Sequence, residues 1–145
     1  MRRRARAPPV RSASSGTTTP PAPEITTMGT LTIMSAEANA CVQACCDCSR
    51  MCLEAAAYCA DNGRSAQWRA LLDCAAQCQA ACECLTRCSD CCSTVCTCCA
   101  SVCMQCAEIC KRSNDKQLQA CIDACKRCAE CCQSVCRSPV LSDRA

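Results

Sequence analysis

The sequence has no histidine and no phenylalanine, one tryptophan, one tyrosine and three glycines in 145 residues. Each shortage excludes something. Without histidine there is no imidazole to act as a base or as a mixed metal ligand. So few aromatic rings leave nothing on which nucleic-acid bases could stack. The scarce glycines form no nucleotide-cradling loop and no Gly-rich hairpin turns, and no period-2 alternation suggests strands. Bulky hydrocarbon is short as well. Of the 50% of residues counted as hydrophobic, little remains once Cys and Ala are set aside. Buried Cys contributes only as a small hydrophobe, so an ordinary core cannot be assembled from this chain.

Charge is unevenly placed. The net value is +3, and Arg2, Arg3, Arg4, Arg6 and Arg11 stand against Glu24 alone in the N-terminal stretch. The remainder up to Arg137 is close to neutral. It offers no basic face for nucleic acid. Residues 1–34, rich in Arg, Pro, Ser and Thr, read as a disordered leader or as a start called too early, with Met28 or Met34 the true first residue. Arg2-Arg3 is not followed by the apolar run that a secretory signal needs. Residues 138–145 read as a tail.

What the sequence has in excess is sulfur: 25 cysteines. Between Cys92 and Cys110 they stand at 92, 96, 99, 103, 106 and 110, in steps of four and three that keep one helix face toward a partner. That helix is about 30 Å long, and its whole inward stripe is thiol. The same rhythm recurs three times. Helix 1, expected from Ser35 to Asp61, carries Cys41, Cys45, Cys48, Cys52 and Cys59 on one face, Ala55 filling the gap, and Cys46 on the flank. Helix 2, from Ser65 to about Arg87, turns Leu71, Cys74, Cys78, Ala81/Cys82, Leu85 and Cys88 inward, with Cys84 beside them. Cys91 and Cys98 flank the stripe of helix 3. Helix 4 carries Cys121, Cys125, Cys128, Cys132 and Cys136, with Cys131 adjacent, and ends at Ser138-Pro139. Ser35 is the expected N-cap of helix 1 and Asn62-Gly63 its stop, Ser89 or Asp90 the cap of helix 3, and Asn114–Gln117 a capping box for helix 4.

Four helices of similar length joined by tight turns predict an all-α, antiparallel up-down-up-down four-helix bundle with a Cys-lined core over residues 35–137. The twenty-five cysteines are the expected metal ligands, Cys46, Cys98 and Cys131 being the ones that could equally serve as packing between helices. A seam of thiol without His favours a soft ion. Cu(I) accepts two or three thiolates, so a CxxxC pair one helical turn apart can serve it directly. With sulfurs shared, capacity is on the order of 12–25 ions. The alternatives from the residues alone are a zinc or cadmium thiolate buffer, an Fe–S or dithiol electron carrier, and a disulfide-stapled bundle. The last is disfavoured by an odd cysteine count and by neighbours on one helix face, which are poorly oriented to bridge each other. Reduced thiols point to the cytoplasm. No residue set suggests turnover chemistry or a membrane role.

The segments CVQACCDCSRMC, LLDCAAQC, CCSTVCTCCASVCMQCAEIC and CIDACKRCAECCQSVC resemble the bacterial four-helix-bundle copper storage proteins, the cysteine-rich cytosolic type, over about residues 38–137. The resemblance implies a bundle interior that binds many Cu(I) ions through inward Cys. It also implies homo-oligomers, often tetramers. A reservoir of this kind is expected to pass copper to a chaperone or cuproenzyme acceptor. The family commonly places His near a bundle mouth, and this chain has none.

The bulk is also unevenly distributed. One end of the expected bundle gathers Tyr58, Trp68, Leu71, Leu72, Ile109, Leu118 and Ile122, read as an apolar plug. The other gathers Cys41, Cys45, Cys84, Cys88, Cys91, Cys92, Cys132 and Cys136, read as the end where copper enters.

Overall fold

The structure, a computed structural model, describes residues 34–138. The expected leader and C-terminal tail, apart from Met34 and Ser138, lie outside the described residues. Four helices follow one another: α1 (Ala36–Asp61), α2 (Ser65–Thr86), α3 (Cys92–Lys111) and α4 (Gln119–Arg137), with a 3-10 turn over Lys116–Leu118 leading into α4. Each helix packs on two others in a closed ring, α1 on α2, α2 on α3, α3 on α4 and α4 on α1. The direction is antiparallel throughout. Cys41 near the start of α1 meets Cys132 near the end of α4, whereas Cys52 further along α1 meets Cys121 at the start of α4. This is the up-down-up-down bundle expected from the spacing.

The helix ends explain the tight turns. The Ser35 hydroxyl accepts from the Ala38 amide at 3.1 Å, and Glu37 complements the positive N-terminal end of α1. At the other end Gly63 takes φ +66, with Arg64 N–H on Cys59 O and Gly63 N–H on Ala60 O. That is a Schellman stop. The end of α2 repeats it: Ser89 N–H bonds Cys84 O, Cys88 N–H bonds Leu85 O, and Cys88 sits at φ +50. A left-handed cysteine in place of glycine costs about 1–2 kcal/mol.

Two expected caps are corrected. The N-cap of α3 is Cys91, not Ser89 or Asp90, because the Ser89 hydroxyl turns to the Cys91 sulfur at 3.1 Å. At α4 the capping side chain is Asp115, which accepts from Gln117 N–H at 2.9 Å, so the cap serves the 3-10 turn rather than an Asn114 box.

The interior is sulfur and alanine, with Leu71, Leu118 and Val135 the bulkiest fully buried side chains. Each of those contributes about 1.5–3 kcal/mol on burial. They are too few to fill a bundle. The expected apolar plug is therefore only partly built. Leu71, Leu118 and Ile122 are buried there, but Trp68 and Leu72 are 39% and 36% exposed. Both lie off the inward arc that Leu71 and Cys74 occupy, Trp68 beside Cys59 and Gly63 at the α1–α2 turn. By length and composition α3 could cross a membrane, with mean hydropathy 1.3, yet its sulfur stripe together with Ala100 and Ala107 faces the bundle interior.

Candidate metal centre

Helical periodicity carries the sulfurs inward, and the antiparallel register brings those of different helices together. Eighteen of the cysteines are buried. Twelve of them form four overlapping sets in which all the sulfurs lie within 4.8 Å of one another. Going down the bundle, these are Cys41, Cys96 and Cys132; Cys45, Cys99, Cys128 and Cys132; Cys48, Cys78, Cys103 and Cys128; and Cys48, Cys52, Cys74 and Cys125. Cys132, Cys128 and Cys48 each belong to two sets, so the sets join into one column. The closest sulfur–sulfur approaches within it run from 3.5 Å for Cys78–Cys103 to 4.0 Å for Cys48–Cys74. Below the column Cys121 reaches Cys52 at 3.6 Å. Cys59, Cys106 and Cys110 are buried at the same end.

A metal–thiolate bond of about 2.3 Å puts three ligands in a trigonal plane about 4.0 Å apart, and four in a tetrahedron slightly closer. The sulfurs already stand at those spacings. Charge then chooses among soft metals. No polar or charged side chain is buried among the described residues, so thiolates here have no countercharge except the ions themselves. Isolated tetrathiolate sites of a divalent ion would each leave net negative charge in the core. A monovalent ion sharing bridging sulfurs approaches one charge per thiolate and neutralises the column.

Without metal the column can ionise only in part. Cys48, Cys99 and Cys106 are pushed far down by S–H donors, first among them Cys103 for Cys48 and Cys99, and Cys110 for Cys106. Their neighbours Cys52, Cys103 and Cys132 are pushed up because they act as the donors, chiefly to Cys106, Cys128 and Cys128 in turn. Cys128 falls to about 6 through Cys103, Cys132 and Cys45, and Cys121 to about 5 through Cys125 and Cys52. Away from the column, burial is the first cause that raises Cys59 and Cys92, with Cys84 and Cys91 adding to it at Cys92.

At the α2–α3 turn the sulfurs approach the surface. Cys84 and Cys91 are 3.7 Å apart, and an Arg87 N–H reaches the Cys84 sulfur at 3.9 Å. Cys91 is exposed, and its thiol is lowered by the Ser89 hydroxyl and then by Cys84. Cys92 donates to the Cys84 carbonyl at 3.0 Å. Cys88 is half-buried, and so is Cys136, where Thr97 stands 3.5 Å from the sulfur.

The opposite end is closed by a polar clamp. Tyr58 OH donates to Asp115 Oδ2 at 2.9 Å, and Arg64 pairs with the same oxygen at 2.9 Å. The clamp ties the end of α1 and the α1–α2 turn to the start of α4.

Not every expected ligand joins the column. Cys46, Cys91 and Cys98 are exposed, and Cys82, Cys88, Cys131 and Cys136 half-buried. Between the two residues expected at one inward position of α2, Ala81 is the buried one, while Cys82 turns toward α1 and meets Cys46 at 3.1 Å. Cys84, expected beside the inward face, is buried. The Tyr58–Asp115–Arg64 clamp left no trace in the spacing, because its members come from three segments.

A family profile described as copper storage protein matches residues 30–137. Among solved structures, the chain is similar to the Nmul_A1745 protein from Nitrosospira multiformis, at 30% identity and TM-score 0.65, over 69% of this chain and 94% of that one. It is similar to the Cu(I)-bound copper storage protein BsCsp3, at 30% identity and TM-score 0.64, over 68% of this chain and 96% of that one. Against the apo form of copper storage protein 3 from Bacillus subtilis the identity is 31% and the TM-score 0.65, over 68% and 98% of the two chains. No curated protein matches the chain.

Proposed function

The chain belongs to the copper storage protein family, and on that premise we propose that its column of buried thiols is a reservoir that takes up many Cu(I) ions and holds them away from water. The observation that carries this reading is the overlap of four sulfur sets in a core without any other countercharge. The function is stoichiometric binding rather than turnover. The ligands are the buried cysteines of the bundle, residues 35–137, extended at the α2–α3 end by the half-buried and exposed thiols Cys88, Cys91 and Cys136.

Copper enters at that end. Support comes from the exposed Cys91 beside Cys84, and from the Tyr58–Asp115–Arg64 clamp with buried Leu71 and Leu118 at the other. Replacing Cys88, Cys92 and Cys136 with Ser slows uptake, whereas Trp68→Ala, at an exposed position, leaves it unchanged. A larger effect of Trp68→Ala would reverse the polarity. Exposed Leu53, Leu72 and Met104 are apolar side chains that self-association would cover, which supports a homo-oligomer. The protein works in the cytoplasm, where its thiols stay reduced, and exchanges copper with a chaperone or cuproenzyme.

Anaerobic titration of the reduced protein with Cu(I), followed by metal and thiol analysis, tests the function. Retention of on the order of 12–25 ions against a strong Cu(I) chelator is expected. A preference for zinc or cadmium under the same competition would overturn it.

A further inference from the structure

Cys46 and Cys82 stand apart from the column. Their sulfurs are 3.1 Å apart, the shortest sulfur–sulfur approach among the described residues, and neither belongs to a set of three or four. Cys46 is exposed and Cys82 half-buried. They face each other across the outer seam of α1 and α2, in an open groove that also carries Glu54, Glu83 and Arg50.

Two sulfurs placed this way can do one of two things. Holding an ion between them requires a separation of about 4.6 Å, twice a metal–thiolate bond. Joining as a disulfide requires closing by about 1 Å, to about 2.05 Å. The helices resist separation here, since Ser49 Oγ, next to this seam, donates to the Ala75 carbonyl of α2 at 3.2 Å. No third sulfur is at hand to complete a metal site. The pair is placed to be oxidised, not to store.

We propose that Cys46 and Cys82 form a surface dithiol that reduces Cu(II) and releases it as Cu(I), the form the column holds. The inference rests on the copper-storage reading above. Two Cu(II) ions each accept one electron. Two S–H bonds break, one S–S bond forms between Cys46 and Cys82, and two protons pass to water. A low-molecular-weight thiol resets the pair by thiol–disulfide exchange, itself becoming a disulfide.

Location explains why this pair and not the column does the work. Cu(II) prefers tetragonal sites with nitrogen and oxygen donors, and the column sulfurs are shielded from water. The groove offers the carboxylates of Glu54 and Glu83. Both are in exposed pairs, Glu54 with Arg50 at 2.9 Å and Glu83 with Arg87 at 3.6 Å. Such pairs are weak and yield readily to a divalent ion. Cys46 is exposed and Cys82 half-buried, so Cys46 is the sulfur that first meets the ion. Oxidation of the outer pair removes no ligand from the column.

The test adds two equivalents of Cu(II) per chain to the fully reduced protein without oxygen. The Cu(II) paramagnetic signal is followed, and disulfides are mapped by mass spectrometry under non-reducing conditions. The signal disappears and the mapped bond joins Cys46 to Cys82. In the Cys46→Ser/Cys82→Ser variant the signal decays roughly tenfold more slowly or worse. A disulfide elsewhere in the parent protein, or a variant that reduces Cu(II) at the parent rate, overturns the proposal. Direct Cu(I) titration separates this from storage: the variant keeps the parent capacity, and a lower capacity would make the pair a ligand and refute the assignment. A parent that retained no Cu(I) would sink the storage reading, while the mapped disulfide would still decide the pair's chemistry.

Discussion

The sulfurs of Cys128 on α4 and Cys45 on α1 stand 3.6 Å apart. Cys128 belongs to two of the sulfur sets, which places it to serve ions on both sides of it in the proposed reservoir.

Removing that shared sulfur should cost more than one ion. Cys128→Ala is expected to lower Cu(I) capacity by roughly two ions, because each set drops below the coordination a soft ion uses here. Cys98→Ser, at an exposed position outside the sets, is expected to leave capacity unchanged. Metal analysis of the two loaded variants checks both. Equal losses would mean that position in the column does not matter.

Loading must release protons, since each ligand binds as thiolate. A pH-stat titration with Cu(I) near neutrality is expected to record proton release that continues until the column is full. The sign follows from competition between proton and metal for sulfur. Copper is held more tightly as pH rises and is lost to a chelator as pH falls. Retention that does not depend on pH would contradict thiolate ligation.

The clamp at the closed end makes a prediction for the metal-free protein. Asp115 is held below the usual 3.8 by the Gln117 amide, then by Tyr58 and Arg64. Its contribution is therefore present above the unfolded carboxylate value and lost as pH falls through the lower folded one. Tyr58 is raised above 10.0 by its bond to Asp115, so its share is present below the unfolded phenol value and lost as pH rises through the folded one. Asp115→Asn and Tyr58→Phe are each expected to lower the apo Tm at neutral pH. Thermal melts from acid to alkaline pH check this, and unchanged melts would show that the clamp contributes nothing.

Cys88 offers a stabilising change. At φ +50 it occupies a position that glycine holds without strain, as Gly63 does at the end of α1. Cys88→Gly is expected to stabilise the apo bundle by about 1 kcal/mol, a rise in Tm of about 4–8 °C for a domain of this size. A fall in Tm on calorimetry would mean that the Cys88 side chain contributes packing worth more than the strain.

Much of this arrangement was legible in the chain. A cysteine every three or four residues leaves little choice of helix face, so the four spans and the seam from Cys92 to Cys110 follow from periodicity, while Ser35 as a cap and the Asn62-Gly63 stop follow from residue type. What escaped lies at the edges of the stripes and between segments. Ala81 and Cys82 are neighbours on the rim of one helix face, and only the packing of α1 against α2 decides which turns inward. The same holds for Cys84, which the last turn of α2 buries. Ser89 and Asp90 are good caps by residue type, but the Schellman turn at Cys88 carries the chain past them and starts α3 at Cys92. Trp68 is large enough to plug a bundle and instead stands partly exposed beside Cys59, Ala60 and Gly63 at the α1–α2 turn.

The central claim is that copper lies inside the column. Anomalous X-ray scattering at the copper edge, from crystals of protein loaded anaerobically with Cu(I), locates the ions directly. Peaks are expected strung along the bundle axis between Cys41 and Cys121, each bounded by sulfurs of two or more helices. Peaks confined to the outer surface, with an empty interior, would contradict the account.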